Sequence, residues 1–187
     1  SKQTENILLW ATNSFHNSES EQKETVGLLQ IFDENMVVMQ QQASVKSQQL
    51  HFTLPPDLKI TVNKNQFCMV VRNLFNNAVK YTQAHGKIHI SASLHGEYVR
   101  LTISDNGIGM SEERQRSLFT FKQTCTYGTQ GEKGIGLGLL VCKQYIEANN
   151  GTISVQSTQN VGTTVITEFP NALSNTFVNA SADLIWK

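Results

Sequence analysis

The chain is poor in the residues that staple small folds. It carries three cysteines, at 68, 125 and 142. The number is odd and no two stand two residues apart, so neither a disulfide framework nor a zinc ribbon suits the pattern, and a reduced compartment is the default expectation. Charge is sparse too: Asp, Glu, Lys and Arg make up 16% of the chain, with 15 of each sign and a formal net charge of zero. That balance argues against a broad basic face for nucleic acid, but leaves room for one small anion site. Long apolar runs are missing. The longest stretch of glycine and aliphatic residues is about nine (134–142), well below the ~20 needed to cross a bilayer. No secretory signal is expected at the start, and no membrane segment within these residues.

What is present is a globular composition. Hydrophobic residues account for 39% of 187, too many for a disordered chain. The length suits one domain with a short appendage, able to bury roughly 70% of its unfolded surface without a staple. The opening TENILLWA starts in mid-pattern, as if continuing from a longer protein.

Periodicity predicts the elements. Residues 3–16 and 25–48 read as helices, separated by the polar NSESEQ. The second carries Leu28, Ile31, Phe32, Met36, Met39 and Ala43 at three- and four-residue steps, a core-facing stripe. LHFTL (50–54) alternates as a strand and stops at Pro55-Pro56, and KITVN (59–63) follows as a short strand. Residues 64–81 return to helical spacing. Strands 87–94 and 98–104 flank His95-Gly96-Glu97, which suits a hairpin turn. Residues 105–136 are glycine-rich and irregular, with a short helix near 111–119; 137–148 form a helix, and 152–157 with 163–169 a second hairpin ended by Pro170. The order predicts an α+β fold, a mixed, largely antiparallel sheet with helices on one face. The tail 171–187 reads as a linker or docking segment.

Three segments are polar where packing alone prefers apolar residues. In NLFNNAVKYT (73–82), Asn73 and Asn77 share a helix face, and Lys80 and Tyr81 close the helix. DNGIGM (105–110) follows a strand directly, and Gly107 and Gly109 permit positive φ and close approach. In GEKGIGLGLLV (131–141) glycines 134, 136 and 138 precede an apolar helix whose free amides suit an anion. Singly, each has a plain alternative: a solvated helix face, an Asp-Asn-Gly turn, a flexible loop. The third is neither a P-loop, since Lys133 is followed by Gly134, nor a dinucleotide fingerprint, whose last glycine is replaced by Leu139 or Val141.

Taken together and in this order, the three segments resemble the N box and two glycine boxes of the ATP-binding domain of sensor histidine kinases. That domain belongs to the wider group of gyrase B, heat-shock chaperone and mismatch-repair ATPases. LFTF (118–121) sits where the F box would stand and GTTVITEFP (162–170) resembles the closing strand. The likeness covers about residues 20–170. It implies a two-layer α/β sandwich of the Bergerat type over 19–170, preceded by the end of a second dimerisation helix (1–18).

The resemblance also implies roles. Asp105 would accept from the adenine amino group, Gly107 and Gly109 would pass beside the base, and Tyr81 would stack near it. Asn77 would hold Mg²⁺ through its amide oxygen, with Asn73 beside it. Lys80 would neutralise phosphate charge, and Lys133, in a lid over roughly 121–135, would meet the γ-phosphate. Gly134, Gly136, Leu137, Gly138 and Leu139 would wrap the phosphates, and either Thr163 or Thr164 would support Asp105.

Asn73 stands where the ATPase branches resembled here place a glutamate that activates water, and an amide cannot take that proton. This favours a kinase over a gyrase-type ATPase, with a non-catalytic, nucleotide-gated signalling module as the other alternative. None of His16, His51, His85, His89 and His95 sits in the acceptor pattern of the resembled family. The phosphoacceptor is therefore expected outside this chain, on a dimerisation domain of the same protein. The further expected partners are ATP, Mg²⁺, a response-regulator receiver domain and a second copy of the full protein. The expected location is the cytoplasmic part of a membrane-anchored sensor.

Overall fold

A computed structural model describes residues 22–120, 126–134 and 138–173. The expected first helix (3–16), the histidine at 16, the cysteine at 125 and most of the tail lie outside these residues.

Strand β1 (Glu24–Gly27) leads into helix α1 (Leu28–Ser44). The helical stripe therefore starts three residues later than its spacing suggests. The reason is tertiary: Glu24 to Gly27 pair antiparallel with β3 (Lys59–Val62), from Glu24 opposite Val62 to Gly27 opposite Lys59. Strand β2 is Gln49–Thr53. Helix α2 spans Lys64–Tyr81, and the Asn63 side chain caps it by accepting from the Gln66 amide at 3.1 Å. Strands β4 (Lys87–His95) and β5 (Tyr98–Asp105) form the first hairpin, turned through Gly96 at φ +61°. A short helix α3 (Glu112–Ser117) follows, capped by Ser111. Within the stretch expected to be irregular, β6 (Thr126–Tyr127) and β7 (Lys133–Gly134) pair antiparallel. Helix α4 (Gly138–Ala148) and the hairpin of β8 (Thr152–Thr158) and β9 (Gly162–Pro170) complete the order.

The main sheet has five strands in the order β2-β4-β5-β9-β8. Only β2 and β4 run parallel, and the other pairs are antiparallel. Alternation sorts the faces. Ile88, Ile90 and Ala92 of β4, Val99, Leu101 and Ile103 of β5, and Val165 and Phe169 of β9 are buried. Most of their neighbours are polar, among them His89, Ser91, Arg100, Thr102, Thr164 and Glu168. The buried face joins Ile31 and Phe32 of α1, Phe67, Val71 and Leu74 of α2, and Ile146 of α4 in one apolar core. Phe67 meets Phe169 edge to face at 5.2 Å, which fixes α2 across the sheet. The result is the expected α+β two-layer sandwich with a mixed sheet.

Helix α2 is also fixed at its start. Asn149, 2% exposed just after α4, donates to the Tyr145 carbonyl at 2.7 Å and to Gln66 Oε1 at 2.8 Å. Its Oδ1 accepts from the Asn63 amide at 2.7 Å. One buried amide thus ties the end of α4 to the start of α2. Asn149→Ala should cost about 2 kcal/mol, because it strands partners in the interior. Urea unfolding would show this as a lower midpoint at unchanged slope; an unmoved midpoint would mean that the three bonds are dispensable.

Candidate functional site

The polar face of α2 opens toward α4 and the loop after β5. Asn73 and Asn77 stand one turn apart, both half-buried. The Asn73 amide lies directly on the first residue of α4: a Cβ added to Gly138 would fall 2.6 Å from its Nδ2 and 2.7 Å from its Oδ1. Nearby, the buried Cys142 thiol donates to the Val70 carbonyl at 4.0 Å, and burial pushes it up to about 12. That cysteine is a packing residue and not a nucleophile at neutral pH. Beside Asn73 lies a hollow of about 210 Å³, lined by Arg72, Asn76, Cys142 and Tyr145 among others, with no carboxylate among the described residues of its wall.

At its C-terminal end α2 meets the loop after β5. The Tyr81 carbonyl accepts from the Ile108 amide at 3.0 Å. The backbones come so close that a Cβ on Gly107 would lie 2.2 Å from that carbonyl oxygen. Gly109 has φ +60°, and a Cβ there would lie 1.9 Å from the Thr158 carbonyl oxygen. The two glycines therefore act differently: close approach at 107, positive φ and close approach at 109.

Asp105, the last residue of β5, is half-buried beside this contact. Its Oδ1 accepts from the Gly107 amide at 2.8 Å. Burial pushes its carboxyl up to about 6, although bonds from the Gly107 and Thr163 amides pull the other way. Asp105 and Thr163 are paired in register. Thr163 supports the carboxyl through its backbone, while its hydroxyl lies 2.9 Å from Ser157 Oγ. Thr164 instead faces the Ser104 hydroxyl at 3.1 Å. Of the two threonines named by the sequence, 163 is the one in contact.

Lys80 and Tyr81 close the helix, with the Lys80 ammonium 5.1 Å from the Tyr81 ring centroid. Arg114 of α3 stands 5.5 Å from the same centroid. Periodicity gave no sign of Arg114, because it comes from a separate short helix. Leu139 is half-buried against the core. Gly134 pairs with Thr126 in the β6–β7 ribbon, and Lys133 is described only as backbone of β7. Gly136 and Leu137 lie outside the described residues. Asn73 thus meets Gly138 at the start of α4. Lys80, Tyr81, Asp105, Gly107, Gly109 and Thr163 lie where the end of α2 meets the end of β5 and the loop after it, with Asn77 on α2 between the two places.

This arrangement has known counterparts. Residues 62–173 match the family described as histidine kinase-, DNA gyrase B-, and HSP90-like ATPase. The chain belongs to that family. It is 28% identical over 150 residues to the signal transduction histidine-protein kinase BaeS of Escherichia coli (strain K12), covering 80% of this chain and 32% of BaeS. It is 34% identical over 151 residues to sporulation kinase B of Bacillus subtilis (strain 168), covering 80% of this chain and 34% of that kinase. The chain thus spans about a third of these two relatives. Among solved structures, the catalytic domain of histidine kinase ThkA superposes with a TM-score of 0.69 at 27% identity, covering 80% of this chain and 96% of that one. The described part is an ATP-binding domain of the sensor histidine kinase type. No described helix is long and apolar enough to cross a membrane.

The Asp105 shift has a measurable sign. The folded chain keeps this proton to about pH 6, whereas the ordinary value is 3.8. Between those values the folded form binds more protons, so this group's contribution to stability falls as pH rises. Carboxyl-carbon NMR without nucleotide should show Asp105 titrating near pH 6; a midpoint near 4 would mean that the side chain is solvated.

Proposed function

We propose that this domain holds Mg-ATP between α2, α4 and the loop after β5, and presents the γ-phosphoryl group to a histidine on a dimerisation domain of the same protein. A response-regulator receiver domain then takes the phosphoryl group, in the cytoplasmic part of a sensor that works as a homodimer. The observation that carries the nucleotide reading is Asp105. A half-buried carboxylate that accepts from backbone amides, beside the Tyr81–Ile108 backbone contact, reads an amino-group donor such as the adenine edge.

The other roles follow along the face of α2. Tyr81 lies against the base, and Gly107 and Gly109 let the loop pass close to it. Asn77, one turn up the helix, offers a hard oxygen to magnesium. Among the described residues no group of three His, Cys, Asp or Glu could cage a metal. A single amide oxygen suits a magnesium ion that keeps water and phosphate oxygens as its remaining ligands. Bound there, the ion would supply charge neutralisation at the phosphates. Lys80 and Lys133 add positive charge, while the amides of 134–139 with the start of α4 receive the phosphate oxygens.

Asn73 separates kinase from ATPase. Water must lose a proton to attack phosphorus, and neither Asn73 nor, among the described residues, the wall of the adjacent hollow offers a carboxylate to take it. A neutral imidazole already carries a free lone pair, so transfer to histidine needs only position and charge neutralisation. Slow hydrolysis and transfer to a docked histidine fit this site together.

Calorimetry with Mg-ATP tests the reading directly. Affinity should rise as pH climbs through about 6, because only the ionised Asp105 accepts the adenine donor. Asp105→Asn should weaken binding about ten- to hundred-fold, as expected for a lost bond to a charged group. With γ-labelled ATP the chain alone should stay unlabelled, while an added dimerisation domain acquires acid-labile label. Absence of Mg-ATP binding would refute the proposal, and steady phosphate release without an acceptor would favour a gyrase-type ATPase.

A further inference from the structure

Lys46, just beyond α1, is 5% exposed, an unusual state for a lysine. Its ammonium donates to the carbonyls of Val79 and Lys80, each at 3.1 Å, and to Thr129 Oγ1 at 2.8 Å. Glu132 Oε1 lies 2.6 Å away. Val79 and Lys80 are among the last carbonyls of α2, which lack helical partners, so a cation there answers both their lone pairs and the helix dipole. Thr129 and Glu132 belong to the glycine-rich segment between α3 and α4. One buried ammonium therefore bridges three parts of the chain.

The segment is built to receive it. The Thr129 amide donates to the Lys80 carbonyl at 3.0 Å, and the Gly128 amide to the Glu132 carbonyl at 2.8 Å. Glu132 Oε2 accepts from the Gln130 amide at 2.8 Å. Burial pushes the Glu132 carboxyl up, but its bonds to Lys46 and to backbone amides outweigh this and hold it below the usual carboxylate range. A Cβ on Gly128 would lie 2.5 Å from Lys80 Cγ, so the turn rests on the stem of the lysine nearest the Tyr81 ring.

We propose that Lys46 is a positioning residue for the nucleotide site: it pins the 128–132 turn to the C-terminal carbonyls of α2, and so fixes Lys80 and the chain entering α4 at the phosphate end. This rests on the nucleotide reading above, although Lys46 itself touches none of the proposed ATP contacts except through the Lys80 backbone. The site is thereby coupled to the end of α1, a helix on which none of those contacts lies. Phosphate-dependent binding should follow Lys46, while recognition of the base at Asp105 should not.

Lys46→Met keeps the stem and removes the ammonium. Glu132→Ala, at a partly exposed position, removes the other half of the anchor with less risk to folding. Lys64→Met serves as control, since it breaks only an exposed ion pair to Glu34 at the far end of α2. Hydrogen exchange without nucleotide should quicken at least about ten-fold at the amides of Gly128, Thr129 and Gln130 in both anchor variants, with strand amides of β4 and β5 unchanged. Mg-ATP affinity should fall about ten-fold while adenosine affinity changes less than about two-fold, a split that general loosening would not produce. Unaltered exchange at 128–130, or equal loss for ATP and adenosine, would overturn the proposal. A wild-type chain that binds no ATP would overturn the nucleotide reading and the positioning role together, and the exchange data would then show separately whether the anchor exists.

Discussion

The architecture of the site depends on one backbone contact. The Tyr81 carbonyl, the last of α2, accepts from the Ile108 amide at 3.0 Å. This joins the helix that carries the asparagines and lysine to the loop that directly follows the aspartate. A side chain at 107 would meet that carbonyl oxygen at 2.2 Å. Glycine is required there by geometry, before any ligand is considered. Remove the contact and the gap between Asp105 on the sheet and Tyr81 on the helix would be set only by the core packing and the clamps of α2.

The electrostatics of Asp105 then make sense as a standing strain. A carboxyl pushed up to about 6 is held at neutral pH in a charged form that its surroundings disfavour. The Gly107 and Thr163 amides reduce the penalty without removing it. A donor arriving from a ligand would complete the set, so the group is destabilising alone and useful when bound. Asn73 shows the complementary choice. Its amide fills the space against Gly138 without bringing a second charge to the polar face of α2.

Much of this was legible in the sequence, and the exceptions share a cause. The bounds of α2 follow from Phe67, Val70, Val71, Leu74 and Ala78, because one helix face alone sets that spacing. The hairpins follow from alternation. Thr25 to Gly27 were expected as helix, but their strand character comes from Thr61 to Lys59, more than thirty residues away. The β6–β7 ribbon has two residues on each side, too few for any period. The motif segments named Asp105 and Tyr81 from local pattern, but the choice between Thr163 and Thr164 required the register of β5 on β9. Arg114 and Lys46 left no local trace at all, since their partners lie on other elements.

Helix α2 is best understood as a bar clamped at both ends. At its start the Asn149 amide joins Asn63 and Gln66 to α4. At its end Lys46 and Gln48 both donate to the Val79 carbonyl, and the single proton of the Thr129 hydroxyl is within reach of the carbonyls of Lys80 and Thr82. Between the clamps the apolar side is locked into the core by Phe67 and Leu74. A helix fixed in position, axis and rotation has one remaining face whose direction is fully determined, and that face carries Asn73 and Asn77. Asparagine lowers helix propensity, so a free helix with this composition would be a weak one. Here the clamps and the core supply the stability, which leaves the polar face free to be chosen for what it holds. The polar residues that looked misplaced in the sequence are tolerated because the buried groups at either end make the helix independent of them.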